Sequence, residues 1–228
     1  STRAGVDLGA TLGTMGAARV GLQWTRVDAR VDTGSPVLPS VREDTAGVRA
    51  ALVLDQLDQP WFSREGYGAY STLYAATKGL GSAVDYQVFA AEGRVVHSWG
   101  PHTVSLTASG GTDFGSDMPA YESFTLGGPL RLSAFRVNQF AGREYAFARA
   151  MYYQRIFALP ELLGSGVFAG ASAEVGTMRD RFDGLPSAGT LFSGSVFLGA
   201  STFAGPAYFG AGIGNSGAFS LYLLLGAP

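Results

Sequence analysis

Hydrophobic and polar residues alternate along many segments of this chain. Residues 4–13, 103–109 and 166–175 show the pattern most clearly, with an apolar side chain at every second position. The positions between them hold mostly Gly, Ser and Thr, with few Lys or Glu residues. Because successive side chains of an extended strand point to opposite faces, a period of two predicts β-strands with one apolar and one polar face. Helical spacing is nowhere as regular.

The alternation and the turn residues between segments predict about eleven strands, each close to the length that a tilted strand needs to cross a bilayer. The predicted strands centre on residues 4–13, 19–31, 46–56, 67–77, 84–96, 103–111, 143–157, 165–176, 193–203, 206–214 and 218–226. Short turns alternate with long loops at 33–44, 112–142 and 177–190, which is typical of outer-membrane barrels. The predicted fold class is therefore all-β, an antiparallel transmembrane β-barrel.

Composition agrees with this fold class and excludes several others. Only 15% of the 228 residues are charged, and the net charge is −2, which argues against a basic nucleic-acid-binding protein. No stretch approaches the roughly 20 continuous apolar residues of a membrane helix, so a helical membrane protein is excluded. The chain has no Cys, which excludes disulfides. A soluble β-rich binding protein, built as a sandwich or a barrel, remains the alternative.

Aromatic residues gather near the predicted strand ends. They are Trp24, Trp61 with Phe62, Tyr67, Trp99, Tyr121, and Tyr152 with Tyr153. Amphipathic rings favour the headgroup level of a bilayer, so these clusters predict the aromatic girdles of a membrane barrel. Large aromatic residues also dominate the cores of soluble proteins, and the clusters alone leave both interpretations open.

The chain offers little that could carry out catalysis. The G-x-S-x-G motif of acyl-transfer enzymes does not occur, and no glycine-rich loop precedes a predicted helix. The two histidines, His97 and His102, have no clustered carboxylates around them, which makes a poor metal site. We therefore predict no catalytic residue, no cofactor and no metal site in this chain.

One constellation resembles a known family. The segment Phe124-Thr-Leu-Gly-Gly-Pro-Leu-Arg-Leu-Ser-Ala-Phe135 resembles the inward-folded loop of BamA/TamA-type bacterial surface antigen barrels, whose pattern is G-G followed by V-R-G-F/Y. Gly127, Gly128 and Phe135 keep the pattern, whereas Ser133 replaces its Arg and Ala134 its Gly. This departure resembles the branch fused to patatin-like phospholipase domains. Similar motifs follow the family order at residues 57–66, 80–82, 198–206 and 220–226.

The resemblance implies an outer-membrane barrel of sixteen strands, of which residues 1–228 supply the last eleven to twelve as one barrel domain. It also implies that the first strands and upstream patatin-like and POTRA domains are absent, and that a final aromatic residue is missing after Pro228. The implied function is to anchor an attached domain and to assist its display or translocation. A patatin-like lipid acyl hydrolase is the alternative for the parent protein.

The implied partners are outer-membrane lipid, the barrel assembly machinery, and either the upstream domains or a second copy; no nucleic-acid partner is implied. In the family, the loop Arg reaches an acidic residue on a strand that faces the barrel lumen. Glu174, followed by Gly176, matches that strand pattern.

Because Ser133 cannot form a charge pair, we expect Arg131 or Arg136 to pair with Glu174 in its place. Alternation also predicts that Arg143, Arg149 and Arg155 face the lumen.

Overall fold

The computed structural model of this chain describes residues 2–29, 41–159, 164–181, 188–202 and 205–226. The strands are β1 Thr2–Thr11, β2 Gly16–Ala29, β3 Val41–Asp55, β4 Gly66–Ala76, β5 Tyr86–Trp99, β6 His102–Thr112, β7 Phe124–Leu126, β8 Phe140–Phe157, β9 Gly166–Arg181, β10 Ala188–Thr202, β11 Gly205–Gly214 and β12 Phe219–Leu225. Three short 3-10 turns are the other regular elements of the described residues, and no helix among these residues is long and apolar enough to span a membrane.

The twelve strands form one antiparallel sheet in which each long strand pairs with its neighbour along the chain. Strand β7 lies off this path and pairs only with the start of β8. Within the described residues, β1 and β12 are each paired on one side only. The predicted all-β antiparallel fold and its eleven long strands are confirmed, and the three-residue β7 is the one strand that the alternation did not predict.

Several strands extend beyond their predicted ends. Strand β3 begins at Val41, inside the loop predicted at 33–44, and β9 and β10 occupy parts of the loop predicted at 177–190. The extensions of β3 and β9 carry charged residues, which resembled a solvated loop in the sequence. Backbone pairing continues there because the ladder needs no apolar side chain. Residues 33–40 and 182–187 of these predicted loops, and Pro228, lie outside the described residues.

One face of the sheet is apolar and exposed across all the long strands. The strand register keeps apolar residues of neighbouring strands side by side on this face. Leu106 of β6, for example, lies between Val95 of β5 and Ala150 of β8. The side chains of Leu8 and Leu106 are 82% and 55% exposed, and that of Leu223 is 68% exposed. No second sheet packs against this face in the part of the chain that the structure describes. The aliphatic rows therefore do not form the dry centre of a sandwich.

The opposite face is concave and carries the core. Phe62, in the turn between β3 and β4 (residues 56–65), is 2% exposed and stacks on Phe168 of β9 with 4.1 Å between ring centroids. Its ring also lies 5.1 Å from that of Tyr208 on β11. Gly199 of β10 leaves room for this ring, since a Cβ there would lie 2.3 Å from Phe62 Cζ. The sheet must curl strongly for this turn to reach strands β9–β11.

The aromatic clusters divide between the two faces. Tyr67, Trp99 and Tyr152 point outward from strand ends and are exposed, as expected for a girdle. The same expectation for Phe62 and Tyr153 is wrong, because both are buried on the concave face, with Tyr153 at 0% exposure. Neighbouring residues of one strand face opposite ways, so Tyr152 and Tyr153 cannot share an environment.

Hydrogen bonds hold the β3–β4 turn in the shape that inserts Phe62. Asp58 Oδ1 accepts the backbone N–H of Arg64 at 2.8 Å and that of Glu65 at 3.2 Å. The Glu65 carboxylate in turn accepts the Ser98 N–H at 3.2 Å and contacts His97 at 3.1 Å. These donors, the backbone N–H first, hold the pKa of Glu65 below its usual value. The turn is thereby fastened to the end of β5.

Replacing Phe62 tests how much this inserted ring contributes. We expect Phe62→Ala to lower the free energy of unfolding by about 3–5 kcal/mol, the usual loss for a buried Phe. Urea denaturation of the refolded protein in detergent measures the change. Phe209→Ala is the matched control, because that ring is 60% exposed on the outer face. Equal losses in the two variants would contradict the placement of Phe62.

Candidate functional site

The inner loop, residues 127–139 between β7 and β8, lies on the concave face. Gly127 and Gly128 both have φ of +117°, a conformation that favours glycine. The Gly127 N–H donates to the Arg131 carbonyl at 3.1 Å, and its own carbonyl accepts the Asn138 N–H at 3.2 Å. A Cβ on Gly127 would lie 2.3 Å from the Arg136 carbonyl oxygen. The double glycine therefore closes the loop at its base.

Two leucines of the inner loop anchor it in the core. Leu130 and Leu132 are both 0% exposed, although their φ angles of 57° and 71° are uncommon for residues with a side chain. Leu130 packs in the cluster of Phe62, and Leu132 packs in a second cluster that includes Met178. A Cβ on Gly176 would lie 3.2 Å from Leu132 Cδ1, so that glycine makes room for the leucine.

Ser133 binds Glu174 of β9 through two donors. Its backbone N–H lies 2.5 Å from Glu174 Oε2, and its hydroxyl lies 2.7 Å from Oε1. Both residues are buried, with Glu174 only 3% exposed. The Leu130 N–H donates to the Ser133 hydroxyl at 2.9 Å, which orders the loop around this contact.

The Glu174 carboxylate also accepts a bond from the strand that carries it. Ser172 Oγ lies 2.5 Å from Glu174 Oε1 and 2.8 Å from Ser195 Oγ on β10. Tyr222 of β12 donates to Ser195 at 3.1 Å and extends the network. With three donors on its oxygens, the buried carboxylate is satisfied by hydrogen bonds without an ion pair in the described residues.

The arginines expected to pair with Glu174 lie elsewhere, so that expectation is wrong about the partner. The Arg131 guanidinium lies over the rings of Tyr145 and Phe147, at 5.5 and 5.9 Å from their centroids. Arg136 is exposed, and its backbone N–H donates to the Gln139 side chain at 2.9 Å. Donors from Ser133 and Ser172 already occupy both oxygens of the Glu174 carboxylate.

Phe135, the aromatic residue of the motif, contacts Phe140 at the start of β8. Their ring centroids are 5.2 Å apart, and the planes meet at 73°. Phe135 therefore packs at the end of the inner loop and does not take part in the contact with Glu174.

Arg149 of β8 supplies a cation that the loop motif lacks. It lies opposite Glu174 in the β8–β9 register and is 9% exposed. Its Nη1 donates to the Leu130 carbonyl at 2.6 Å, and Nη2 lies 3.4 Å from Thr107 Oγ1. Alternation along β8 predicted that this arginine faces inward, but nothing in the sequence indicated that a loop carbonyl would be its acceptor.

Removing the Glu174 carboxylate should release the inner loop. In Glu174→Ala the buried Ser133 N–H loses its acceptor, which costs about 1–3 kcal/mol. We expect trypsin to cut after Arg131 or Arg136 about tenfold faster, as measured on gels of the folded protein in detergent. Glu92→Ala is the control, because it removes an exposed carboxylate from the same face at β5. Equal cleavage of the two variants would show that the contact between Ser133 and Glu174 does not hold the inner loop in place.

Comparison with known proteins places this geometry in a family. A model of the Omp85 superfamily domain matches residues 1–205. No curated protein matches the chain. Among solved structures, BamA from Haemophilus ducreyi lacking POTRA domains 1–3 aligns with a TM-score of 0.74 at 13% identity, covering 97% of this chain and 52% of that one.

The chain thus spans about half the length of the BamA chain that it matches. At this identity the likeness establishes the fold, which is that of the BamA barrel. Family and fold together indicate a bacterial outer-membrane β-barrel. The chain belongs to the Omp85 superfamily.

Proposed function

We propose that the chain is the membrane anchor of a larger outer-membrane protein, with no catalytic role of its own. The observation that carries this proposal is the exposed apolar outer face, which runs across all the long strands, while the polar, small and buried aromatic residues face inward. Lipid acyl chains are the natural partner of such a face, and the barrel assembly machinery is the proposed partner during insertion. The anchored domain is displayed or translocated with the help of the barrel.

We further propose that the sheet is part of a sixteen-stranded barrel. Eleven strands lie on the antiparallel path, so β1 and β12 run in the same direction. Direct closure of β1 on β12 would require a parallel seam, whereas bacterial single-chain barrels have an even number of antiparallel strands. Adding an odd number of strands to these eleven gives an even total and allows antiparallel closure. Five further strands would make sixteen.

The parent protein is proposed to carry a patatin-like lipid acyl hydrolase domain upstream, together with POTRA domains. The support is the Leu132-Ser133-Ala134-Phe135 segment, which resembles the loop of the patatin-fused branch and departs from the V-R-G-F/Y pattern. The docked position of Ser133 gives this departure a physical basis, since its short side chain fits between the loop and Glu174. Catalysis is assigned to the upstream domain.

An arginine on the outer face tests whether that face lies in lipid. Leu73 and Thr72 are neighbours on β4 that point to opposite faces, and Leu73 is 40% exposed. In lipid vesicles we expect Leu73→Arg to lower the free energy of unfolding by about 2–4 kcal/mol if it lies near the bilayer centre, whereas Thr72→Arg changes it little. Tryptophan fluorescence during urea titration measures both. Equal small effects would favour a soluble β-protein.

The native polypeptide tests the identity of the parent. We expect the intact mass of the native polypeptide to exceed 23.8 kDa by the mass of several hundred residues. We also expect the polypeptide to stay in outer membranes that are washed with carbonate. A fluorophosphonate probe should label an upstream serine. Release by carbonate would refute the anchor, while absence of labelling in a folded, membrane-bound protein would refute the patatin-like parent only.

A further inference from the structure

Two inward arginines lie on either side of Thr107 on the concave face. Arg94 of β5 and Arg149 of β8 are both in register with Thr107 of β6. Neighbouring strands are about 4.8 Å apart, so the backbones of the two arginines are about 10 Å from each other. Arg149 Nη2 lies 3.4 Å from Thr107 Oγ1, and Arg94 Nε donates to Ser105 Oγ of β6 at 3.0 Å. Both side chains therefore lean over β6.

The carboxylates in the same row do not pair with these cations. The row continues to Glu174 on β9 at one end and, through Gly68 of β4, to Asp55 on β3 at the other. Glu174 accepts three hydrogen bonds from serine donors, and Asp55 Oδ1 accepts the Leu57 N–H at 3.1 Å. Within the described residues, neither arginine has a carboxylate oxygen within 4.0 Å of its guanidinium nitrogens.

Arg149 also has a donor that no group in the described part of the chain satisfies. The residue is 9% exposed, and its Nε is buried without a hydrogen-bond partner. The acceptors that it does contact, the Leu130 carbonyl and the Thr107 hydroxyl, are neutral. A buried charge is costly unless an opposite charge and hydrogen bonds compensate it. An anionic acceptor would supply both.

The surroundings of Arg94 leave room for a small ligand. A recess of about 240 Å³ opens beside this arginine, between β3, β4 and β5, and its lining includes Gly68, Tyr70 and Glu92. Arg94 itself is half-buried, so its guanidinium is within reach of a ligand that enters from the recess. Glu92, the carboxylate two residues away on the same strand, is exposed.

We propose that Arg94, Thr107 and Arg149 bind the oxyanion of a phosphate group on the concave face, beside the tip of the docked inner loop. A guanidinium presents a planar fork of donors that matches two oxygens of an oxyanion. Arg149 binds the Leu130 carbonyl through Nη1, which leaves its Nε edge for the ligand. Two forks and a hydroxyl serve more oxygens than a carboxylate has, and this favours a tetrahedral phosphate group. The group belongs either to inorganic phosphate or to a phosphate monoester.

Calorimetric titration of the full protein with inorganic phosphate tests the site, in maltoside micelles that contain no phosphate. We expect the unmodified protein to bind phosphate and Arg94→Gln to weaken the affinity about tenfold or more, the effect of one charge-assisted hydrogen bond. Arg94→Lys keeps the charge but loses the fork, so its affinity should lie between the two. Arg49→Gln is the matched control, because this inward arginine of β3 donates to Tyr70 at 3.1 Å and should leave the affinity unchanged.

The contact of Arg149 with Leu130 stays in place in Arg94→Gln, so we expect the inner loop of this variant to remain resistant to trypsin. No phosphate binding by a trypsin-resistant unmodified protein would overturn the site. Unchanged affinity in Arg94→Gln, or an equal loss in Arg49→Gln, would overturn it as well. Glycerol phosphate, a monoester, distinguishes the two sources. Tighter binding than that of inorganic phosphate assigns the site to a phosphorylated molecule, and weaker binding assigns it to the free ion.

Discussion

Backbone N–H and C=O groups that leave water must find partners, and this requirement shapes every level of the chain. It is met by one antiparallel ladder that runs through eleven long strands. Once the ladder is continuous, alternate side chains are sorted into two different surroundings. The exposed aliphatic set points outward, as at Leu106 and Leu223, and the small, polar and buried aromatic side chains point into the concave face. The concave space inside the sheet is then filled by side chains of the Phe62 turn and of the inner loop.

Small residues on the inner face decide where those two insertions rest. Gly199 accommodates the ring of Phe62, Gly176 accommodates Leu132, and Gly212 accepts the backbone of Ser133. Each glycine lies on β9–β11, the strands that face the insertions most directly. A strand interior loses some stability with each glycine. Here that loss is offset because the insertion buries two leucines and an aromatic ring at 0–2% exposure.

Alternation in the sequence predicted the strands and their faces, because alternate residues of a strand face the outer surface and the concave interior in turn. It also placed Glu174 and Arg149 on the inner face. Alternation could not predict the strand ends, since charged extensions such as that of β9 pair in solvent as well as apolar ones do. The clustering of aromatic residues near strand ends did not separate Tyr152 from Tyr153, because it ignored the alternation that puts these two neighbours on opposite faces. The partner of Glu174 was missed because one Ser133 donor is a backbone N–H, which leaves no trace in residue identity, and because the expected charge pair left the Ser133 hydroxyl out of account.

Because Ser133 and not an arginine contacts Glu174, the inner loop brings no charged side chain to this carboxylate. An arginine on the loop would leave a buried carboxylate without its counter-ion whenever the loop moved, and separating such a pair is costly. In this chain the nearby cation is Arg149, which lies opposite Glu174 in the β8–β9 register, so both charged side chains belong to the sheet. The loop contributes only neutral donors to Glu174 and a carbonyl to Arg149. Undocking therefore breaks hydrogen bonds but leaves both charges beside each other, which makes a loop held by Ser133 easier to release than one held by an ion pair.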